Sequence, residues 1–327
     1  MDSDDGDANT NTKFSETKLD VGIAQSCCDH LDVVTAKRDF PIINDLDLRH
    51  RARIAEDIVR QDLSAADRSG LDELALSRRK WYFLPAAALP HDGNRETTAT
   101  LQMGILRLMA SRPFGFLEGN GEVVRRVMVQ DGAEDLLTTV GRRAFGAHID
   151  HAWGFFPWER DDGKGRPRMP DFLSLAGHTN PNNIATYFAD PLDVYFKLSE
   201  LSQYVLSQPE YSFPSPPSVD PPGFATRLPI IVRGPDGLPV IRLSPRLICE
   251  SERAKKALAE LDTVLQHDSI WNKVVLTKGD IVVARGTALH KRGEVNGPRE
   301  LIAIYGRHQL TESRVLSTAN PHLELVR

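Results

Sequence analysis

The sequence is poor in cysteine, which restricts both its fold and its expected location. Only three cysteines occur among 327 residues, at Cys27, Cys28 and Cys249. That number is too small for the disulfide framework of a small secreted protein, and the adjacent pair lacks the Cys-x-x-Cys spacing of common metal sites. We therefore expect unpaired thiols and a reducing, cytoplasmic location.

The sequence also lacks long apolar runs and clusters of basic residues. Its apolar runs are far shorter than the ~20 residues that span a bilayer, so we expect no membrane partner. No Lys/Arg cluster indicates a nucleic-acid footprint, and we expect no nucleic-acid partner. The N-terminus is polar and acidic, unlike a secretory signal or a transit peptide. The expected partner is a small molecule, and the oligomeric state stays open.

Negative charge is concentrated at the N-terminus. The net charge is −5, and the first ten residues contain four aspartates and no basic residue. Residues 1–18 carry almost no apolar side chains, so we predict a disordered acidic tail there. The chain as a whole is 41% hydrophobic and 26% charged, which is typical of a globular protein. We predict that residues 19–327 form a single domain.

Apolar periodicity predicts a mixture of helices and strands. Helical spacing occurs over residues 51–63, 101–109 and 254–264. The segment 208–223 contains six prolines, which predicts a loop. Strands are predicted at Trp81–Pro85, Glu122–Val129 and Asp171–Leu175. The segment LPIIVRGPDGLPVIRL is predicted to be a hairpin with GPDG as its turn. Further strands are predicted in GDIVVARG, TALH and RELIAIYG. With most strands late in the chain, this pattern predicts an α+β protein built on a β-sandwich or barrel.

A histidine and a carboxylate are spaced for a metal site in the segment AFGAHIDHAWG. Because residues i and i+2 of a strand point to one face, His148 and Asp150 can present their side chains to one point. Two ligands hold a transition metal weakly, and His290, after the strand GDIVVARG, is the best candidate for a third. Two histidines and one carboxylate with open positions are the arrangement of non-haem Fe(II) oxygenases. The sequence therefore predicts a catalytic Fe(II) site at His148, Asp150 and His290, open to O2 and a cosubstrate.

An arginine near His290 fits the cosubstrate of many such enzymes. Arg299 lies nine residues after His290, at the start of the strand RELIAIYG. The planar guanidinium can bind the distal carboxylate of 2-oxoglutarate through two hydrogen bonds, which a lysine cannot do. We expect a hairpin between the two residues to bring Arg299 beside the metal.

Other interpretations compete at each of these positions. A single His-x-Asp pair is weak evidence in a chain with 10 histidines and 45 acidic residues. His151 points to the opposite face from His148, and we interpret it as a packing or lid residue. Arg307 has two interpretations, a site residue or a surface charge. The aromatic residues Trp153, Phe155, Phe156 and Trp158 are interpreted as packing residues of a loop, 151–168, that we expect to close over the site.

Six segments of the chain resemble a known enzyme family in order and spacing. The sequence resembles the clavaminate synthase-like branch of the Fe(II)/2-oxoglutarate oxygenases, and is also similar to the taurine dioxygenase group, over roughly residues 70–310. The segments are RPFGFLEGNGEVVRRVMV, RMPDFLSL, NNIATYFAD, LPIIVRGPDGLPVIRL, ERAKKALAELDTVL and LTKGDIVVARGTALHKRGEVNGPRELIAIYGR.

The resemblance implies a fold, a reaction and a further cofactor-binding residue. The fold would be a double-stranded β-helix, or jelly roll, with flanking helices. The enzyme would decarboxylate 2-oxoglutarate to succinate and hydroxylate, desaturate or cyclise an unactivated C–H of a small polar metabolite. Thr186 would help Arg299 to hold 2-oxoglutarate. The carboxylate of Asp150 argues against a halogenase, which needs that ligand position empty. Two alternatives remain, a cupin-like metal enzyme of other chemistry and a non-catalytic jelly-roll binding protein.

The resemblance also bears on the substrate, because this sequence departs from it at one position. Amino-acid hydroxylases of this branch often carry a second arginine four residues after the first, where this chain has Ala303. The hairpin strand VIRLSPRL contains no carboxylate to pair with a cationic side chain, and an unpaired buried charge is costly. We therefore expect free L-arginine and L-lysine to be poor substrates, and an amino-acid derivative, a carrier-bound aminoacyl group or another biosynthetic intermediate to be the substrate. The alternative is that Glu159 or Arg160 supplies the missing polar contact.

Overall fold

Helices precede and interrupt a set of short antiparallel strands. The computed structural model describes residues 45–89, 91–116, 122–129, 141–160, 166–215, 224–308 and 324–325. Its α-helices are α1 (Asp45–Asp62), α2 (Ala65–Ala75), α3 (Arg95–Leu108), α4 (Pro191–Tyr195), α5 (Glu200–Leu206) and α6 (Glu252–Gln266). The three predicted helices correspond to α1, α3 and α6, whereas α2, α4 and α5 were not predicted from the sequence.

Small polar side chains set the start of most of these helices. Each accepts a hydrogen bond from a backbone N–H in the first turn, which satisfies a donor that the helix itself leaves free. These capping residues are Ser64, Asn94, Asp190, Ser199 and Ser251. The start of each helix is therefore encoded locally, even where the apolar pattern is too short to reveal the helix.

Sixteen strands occur in the described part of the chain. They are β1 (Trp81–Leu84), β2 (Ser111–Phe116), β3 (Val124–Met128), β4 (Phe145–His148), β5 (Phe172–Thr179), β6 (Ala185–Ala189), β7 (Tyr211–Pro214), β8 (Phe224–Leu228), β9 (Ile231–Arg233), β10 (Pro239–Ile241), β11 (Ile248–Cys249), β12 (Asn272–Val275), β13 (Ile281–Arg285), β14 (Leu289–Arg292), β15 (Glu300–His308) and β16 (Glu324–Leu325).

The strands form one seven-stranded and one four-stranded sheet, with two smaller sheets. The larger sheet has the order β1-β13-β5-β15-β2-β16, and β3 also pairs with β15. One edge of β15 is paired with β5, while its other edge is shared, with β3 along Glu300–Ile304 and β2 along Tyr305–His308. The four-stranded sheet has the order β12-β6-β14-β4. All of these pairings are antiparallel, so the predicted α+β class is confirmed.

Side chains from the two large sheets pack against each other. One buried cluster joins Phe188 of β6 to Leu173 and Leu175 of β5 and to Leu301 of β15. The ring of Trp81 stacks on Phe188 with the centroids 5.9 Å apart. Burial of these large apolar side chains supplies the main favourable free energy of the contact. Leu173, Leu175 and Leu301 of this cluster also line the cavity described below.

A second buried cluster surrounds helix α6. Ala254, Ala257, Leu261 and Val264 form its buried stripe, which matches the helical spacing read from the sequence. This stripe belongs to the same cluster as Phe213 of β7. The cluster also includes Trp153 and Phe156, which anchors the segment after β4 away from solvent.

The hairpin predicted around GPDG is confirmed. Strands β9 and β10 pair antiparallel, with Arg233 opposite Pro239. The turn is closed by a hydrogen bond from the N–H of Gly234 to the carbonyl of Leu238, 2.8 Å long. Gly237 has φ +77°, a conformation that a residue without a Cβ adopts without strain.

The prediction of a continuous loop over residues 208–223 is wrong in its first half. Tyr211–Pro214 is the central strand of a three-stranded sheet, between β8 and β11. Tyr211 and Phe213 alternate inward and are completely buried, so tertiary packing overrides the proline-rich composition. Pro214 is the last residue of this strand. Residues 216–223 lie outside the described residues.

Residues Ile42–Arg327 form one structural unit. The other unit, Met1–Pro41, and with it the predicted tail at residues 1–18, lies outside the described residues. Within the part of the chain that the structure describes, no helix combines the length and the apolar character needed to cross a membrane.

Candidate metal centre

The structure brings His148, Asp150 and His290 together. His148 ends β4 and lies directly opposite His290 on the neighbouring strand β14. The Nε2 atoms of His148 and His290 are 3.9 Å and 3.8 Å from Oδ1 of Asp150. One ligand atom from each residue lies within 4.8 Å of the others. Asp150 lies in a turn two residues after the end of β4, so the expectation that it shares a strand face with His148 is wrong. The turn after β4 and the register of β14 nevertheless produce a single cluster.

The two imidazoles are oriented by the backbone. Nδ1 of His148 is 2.8 Å from the carbonyl oxygen of Gly146, and Nδ1 of His290 is 3.3 Å from that of Ala288. Because a carbonyl accepts only from a protonated nitrogen, each Nδ1 carries the hydrogen and each Nε2 keeps its lone pair. These lone pairs face Asp150. In metal-binding histidines, a hydrogen bond from the other ring nitrogen usually fixes the orientation of the ring in this way.

Burial keeps His148 in the form that binds metals. Its pKa is held well below 6.5, first by burial and second by the nearby His290. A neutral imidazole is the metal-binding form. Nε2 of His148 is buried and has no hydrogen-bond partner among the described residues. A buried polar atom without a partner is costly, and a cation between the three side chains would remove that cost.

These three residues fit one transition-metal ion. Two neutral imidazoles and one carboxylate are the donor set that suits Fe(II), and three ligands leave coordination positions open. All three residues lie in the wall of a cavity of about 280 Å³. The rest of the described wall comprises Glu122, Arg125, Arg126, Val127, Phe145, Leu173, Leu175, Thr186, Lys291, Arg292, Arg299, Leu301, Ala303 and Tyr305.

Arg299 and Thr186 meet in the same wall. The guanidinium of Arg299 donates a hydrogen bond of 2.8 Å to the hydroxyl of Thr186, and both residues are buried. Burial, together with the positive charge of Arg292, lowers the pKa of Arg299 to about 10. Nε of Arg299 has no hydrogen-bond partner in the described structure. This guanidinium can therefore bind an anion with little rearrangement.

The expected hairpin between His290 and Arg299 is wrong. His290 lies on β14 of the four-stranded sheet, whereas Arg299 directly precedes β15 of the seven-stranded sheet. The connecting residues cross between the sheets, and Val295 donates a backbone hydrogen bond to Arg142 on the way. Arg299 reaches the cavity from the border of the seven-stranded sheet, and its hydroxyl partner Thr186 belongs to β6 of the four-stranded sheet.

Arg292 is a wall residue that the sequence analysis missed. Its guanidinium donates hydrogen bonds to the carbonyls of Gly141 and Arg143, at 2.7 Å and 2.8 Å. Burial lowers its pKa to about 10. Since Arg292 lies two residues after His290 on one strand, the alternation of side chains could have revealed it.

The loop after β4 packs into the core and does not cover the cavity in its described parts. Phe155 and Phe156 are buried, and neither they nor Trp153 line the cavity. The completely buried Arg242 forms an ion pair of 2.6 Å with Glu159. The lid expected over residues 151–168 is therefore not seen in residues 151–160 and 166–168, while the aromatic residues pack as interpreted. Residues 161–165 lie outside the described part.

His151 contacts aromatic rings and is not part of the cluster of ligand atoms. Its imidazole stacks on Phe116 with the centroids 3.7 Å apart. Burial lowers its pKa to about 3. Its backbone has φ +54°, which turns the side chain away from His148. This placement agrees with the interpretation of His151 as a packing residue.

The interpretation of Arg307 as a surface charge is wrong. Its side chain is 2% exposed, and its guanidinium donates a hydrogen bond of 3.2 Å to the carbonyl of Arg168. The guanidinium also lies over the ring of Phe114, 4.4 Å from its centroid. It lies two residues after Tyr305 on β15 and therefore on the same face of the strand, yet of the two only Tyr305 lines the cavity. Arg307 is a buried structural residue.

The fold is shared with solved non-haem iron oxygenases. The chain is similar to asparagine oxygenase in complex with Fe(II), 2S,3S-3-hydroxyasparagine and succinate, with a TM-score of 0.65 and 20% identity over 84% of this chain and 95% of that one. It is also similar to the non-haem iron oxygenase OrfP in complex with Fe and alpha-ketoglutaric acid, with a TM-score of 0.64 and 20% identity over 90% of this chain and 95% of that one.

At these identities the structural similarity establishes a common fold, and it agrees with the family that the sequence segments resemble. No family model matches the sequence. No curated protein matches it either.

Proposed function

We propose that the chain is an Fe(II)- and 2-oxoglutarate-dependent oxygenase. The observation that carries the proposal is one cavity that holds the His148–Asp150–His290 cluster together with the buried Arg299–Thr186 pair. Fe(II) would be held by the cluster, and the distal carboxylate of 2-oxoglutarate by Arg299 and Thr186. The shared fold with enzymes solved with iron and with alpha-ketoglutaric acid or succinate supports this assignment.

The proposal extends to the type of fold and the extent of the domain. The two large antiparallel sheets with packed inner faces are the arrangement expected of a double-stranded β-helix, the jelly roll of the sequence resemblance. We place the catalytic domain at residues 19–327 and an acidic tail at residues 1–18.

The residues of the chain have separate tasks in this reaction. Fe(II), when bound, would activate O2 for the oxidative decarboxylation of 2-oxoglutarate to succinate and the oxidation of a C–H bond. The carbonyls of Gly146 and Ala288 hold the two imidazoles in the ligating tautomer. Arg299 binds the cosubstrate carboxylate as a fixed cation in a water-poor wall. Leu173 and Leu175 supply part of the apolar surface of that wall.

Two measurements on the full-length protein test the proposal. Adding Fe(II) and 2-oxoglutarate without oxygen should produce a visible absorption band, because the keto acid chelates the metal. A screen of small polar metabolites in the presence of oxygen should then reveal compounds that stimulate succinate release. A band without any 2-oxoglutarate turnover would favour a cupin-like enzyme of other chemistry. Absence of the band in metal-loaded protein would favour a non-catalytic binding protein.

The expected substrate is a small polar molecule such as an amino-acid derivative, hydroxylated, desaturated or cyclised at an unactivated C–H. Structures with the same fold were solved in complex with hydroxyasparagine and hydroxy-L-Arg. Free amino acids are therefore included in the screen. Among the described wall residues, the only carboxylates are Asp150, assigned to the metal, and the exposed Glu122. Glu159, the proposed alternative contact, is paired with Arg242.

We therefore expect free L-arginine and L-lysine to be poor substrates, because their side chains would lack a buried counter-ion. The measurement is product formation by mass spectrometry beside succinate release, with uncharged amino acids of similar length as controls. Efficient hydroxylation of either basic amino acid, coupled one-to-one to succinate, would contradict this expectation.

A further inference from the structure

Arg125 occupies a part of the cavity wall that neither the metal nor 2-oxoglutarate uses. It lies on β3 directly opposite Ala303 of β15. Opposite residues of an antiparallel pair project to the same face, and both of these residues line the cavity. Val127 and Leu301, two residues further along the same strands, also line it. The small side chain of Ala303 leaves room beside the guanidinium.

The other cations of the described wall already have partners or a task. Arg126 forms an ion pair with Glu300, with Nε 3.0 Å from Oε1. Arg292 is bound to the backbone carbonyls described above. The Nζ atom of Lys291 lies over the ring of Trp271, 4.2 Å from its centroid. Arg299 is hydrogen-bonded to Thr186 and assigned to the cosubstrate.

Arg125 differs from these residues in its surroundings. Its guanidinium lies near the ring of Tyr305, whose centroid is 5.8 Å from Cζ. No hydrogen bond or ion pair joins it to another described residue, and its side chain is half-buried. A half-buried guanidinium with only an aromatic contact keeps its five N–H donors available for a ligand.

Aromatic contacts connect this guanidinium to the chain segment that carries Asp150. The ring of Tyr305 is 5.6 Å from that of His151, and His151 directly follows Asp150 in the chain. Arg299, in contrast, is hydrogen-bonded to Thr186 on β6 of the four-stranded sheet. The two guanidinium groups therefore have different neighbours, and an anion on Arg125 need not displace one bound by Arg299.

We propose that Arg125 binds a carboxylate of the molecule that is oxidised, and so selects substrates with a free carboxylate. This inference rests on the proposed function for the identity of the reaction. Carboxylate is the favoured anion because a guanidinium binds its two oxygens through two parallel hydrogen bonds, whereas a carboxamide offers only one acceptor oxygen. Apart from the metal ligands, basic residues outnumber acidic residues in the described wall, which also favours a negatively charged substrate.

The test compares acids with their own amides. L-α-amino acids, N-acetyl-L-amino acids and short aliphatic carboxylic acids are titrated by calorimetry, each beside its carboxamide, into the full-length protein loaded with Zn(II) and 2-oxoglutarate. The same titrations into protein without metal or cosubstrate report on Arg125 even if the proposed function fails. We expect at least one acid to bind and its amide to bind at least tenfold more weakly.

Three variants assign that preference to a residue. Arg125→Gln should weaken binding of the acid at least tenfold, Arg125→Lys should weaken it less, and neither should change the affinity for 2-oxoglutarate. Arg112→Gln is the matched control, because Arg112 is a half-buried arginine of the same sheet outside the cavity wall. If Arg125→Gln does not fold, the comparison of acid and amide in the unaltered protein and in Arg125→Lys decides.

The inference is overturned if amides bind as tightly as acids, if no acid in the panel binds, or if Arg125→Gln leaves acid binding unchanged. An equal loss in Arg112→Gln would also overturn it, because the effect would then be one of net charge. Failure of 2-oxoglutarate to bind, with the acid preference intact, would instead contradict only the proposed function.

Discussion

Individual residues around the cavity differ in whether the protein satisfies their polar atoms. Nε2 of His148 and Nε of Arg299 are buried without partners in the described structure. Arg292 and Glu300 in the same region are satisfied by carbonyls and by Arg126. Buried polar atoms are normally hydrogen-bonded. Such exceptions also occur outside the cavity, for example at Trp153 and Tyr211, but among the described wall residues they are confined to the two residues to which we assign a ligand.

The metal assignment predicts a difference between adjacent histidines. His148→Ala and His290→Ala should reduce bound metal from about one ion per chain to nearly none, because two ligands hold a transition metal poorly. His151→Asn should retain the metal, since its ring packs on Phe116 and Asn tolerates the left-handed backbone. Metal content after anaerobic loading and desalting measures both. Unchanged stoichiometry in His148→Ala would rule out the assignment.

The cosubstrate assignment predicts an effect of Arg299 on 2-oxoglutarate. A hydrogen bond to a charged group contributes about 1.5–3 kcal/mol, and about 1.4 kcal/mol corresponds to a factor of ten. Arg299→Ala should therefore raise the 2-oxoglutarate concentration for half-maximal absorbance change at least tenfold. Arg307→Ala should lower stability, because Arg307 is buried, but should leave that concentration nearly unchanged. The reverse order would mean that β15 is wrongly assigned.

At the scale of elements, the sequence predicts what is periodic or local and misses what depends on partners. Helix α6 and the hairpin of β9 and β10 have clear signals, apolar spacing in one and GPDG in the other. Strand β7 has none, because its prolines indicate a loop while its alternate side chains, Tyr211 and Phe213, are buried by neighbours distant in sequence. The His-x-Asp spacing identified two residues of the cluster, and only strand pairing shows that His290 is opposite His148.

The connection between β14 and β15 shows the same limit. Spacing alone makes a hairpin the simplest path from His290 to Arg299, and the structure instead sends β15 to the other sheet. Nothing in the intervening sequence specifies which sheet the next strand will join. The segment after β4 was assigned to a lid because it is long and irregular, yet Phe156 and Trp153 bury it in the core.

The ion pair between Arg242 and Glu159 anchors this segment and predicts a non-additive stability effect. Arg242 is completely buried and also donates hydrogen bonds to the carbonyls of Ala152 and Gly154, at 3.0 Å and 2.6 Å. Glu159→Gln should lower the free energy of unfolding by about 3–5 kcal/mol, since it leaves a buried guanidinium without its counter-ion. The double variant Arg242→Met/Glu159→Leu should lose less stability than the sum of the losses in Arg242→Met and Glu159→Leu. Urea unfolding of Glu159→Gln, of these two single variants and of the double variant is the measurement, and strictly additive losses would contradict this role.

For the whole molecule, the site depends on the contact between the two sheets. The four-stranded sheet supplies both histidines and Thr186, while Arg299, Arg125 and Ala303 come from the seven-stranded sheet or its border. Each sheet alone carries an incomplete set, so packing of Phe188 against Leu175 and Leu301 is a condition for the site as well as for stability. Ligands that contact both sheets should therefore stabilise the whole fold.

This dependence predicts linked stabilisation by metal and cosubstrate. A ligand at a hundredfold excess over its Kd adds about 2.7 kcal/mol to the free energy of unfolding. At about 2–4 °C per kcal/mol, this raises Tm by about 5–10 °C. Zn(II) with 2-oxoglutarate should raise Tm more than the sum of their separate effects, because the keto acid binds the metal and Arg299 together. In Arg299→Ala the increment from 2-oxoglutarate should shrink while that from Zn(II) persists, and in His148→Ala both should largely disappear. Scanning calorimetry of the full-length protein measures these shifts. A 2-oxoglutarate increment that is independent of Zn(II) and of Arg299 would show that the keto acid binds elsewhere on the molecule.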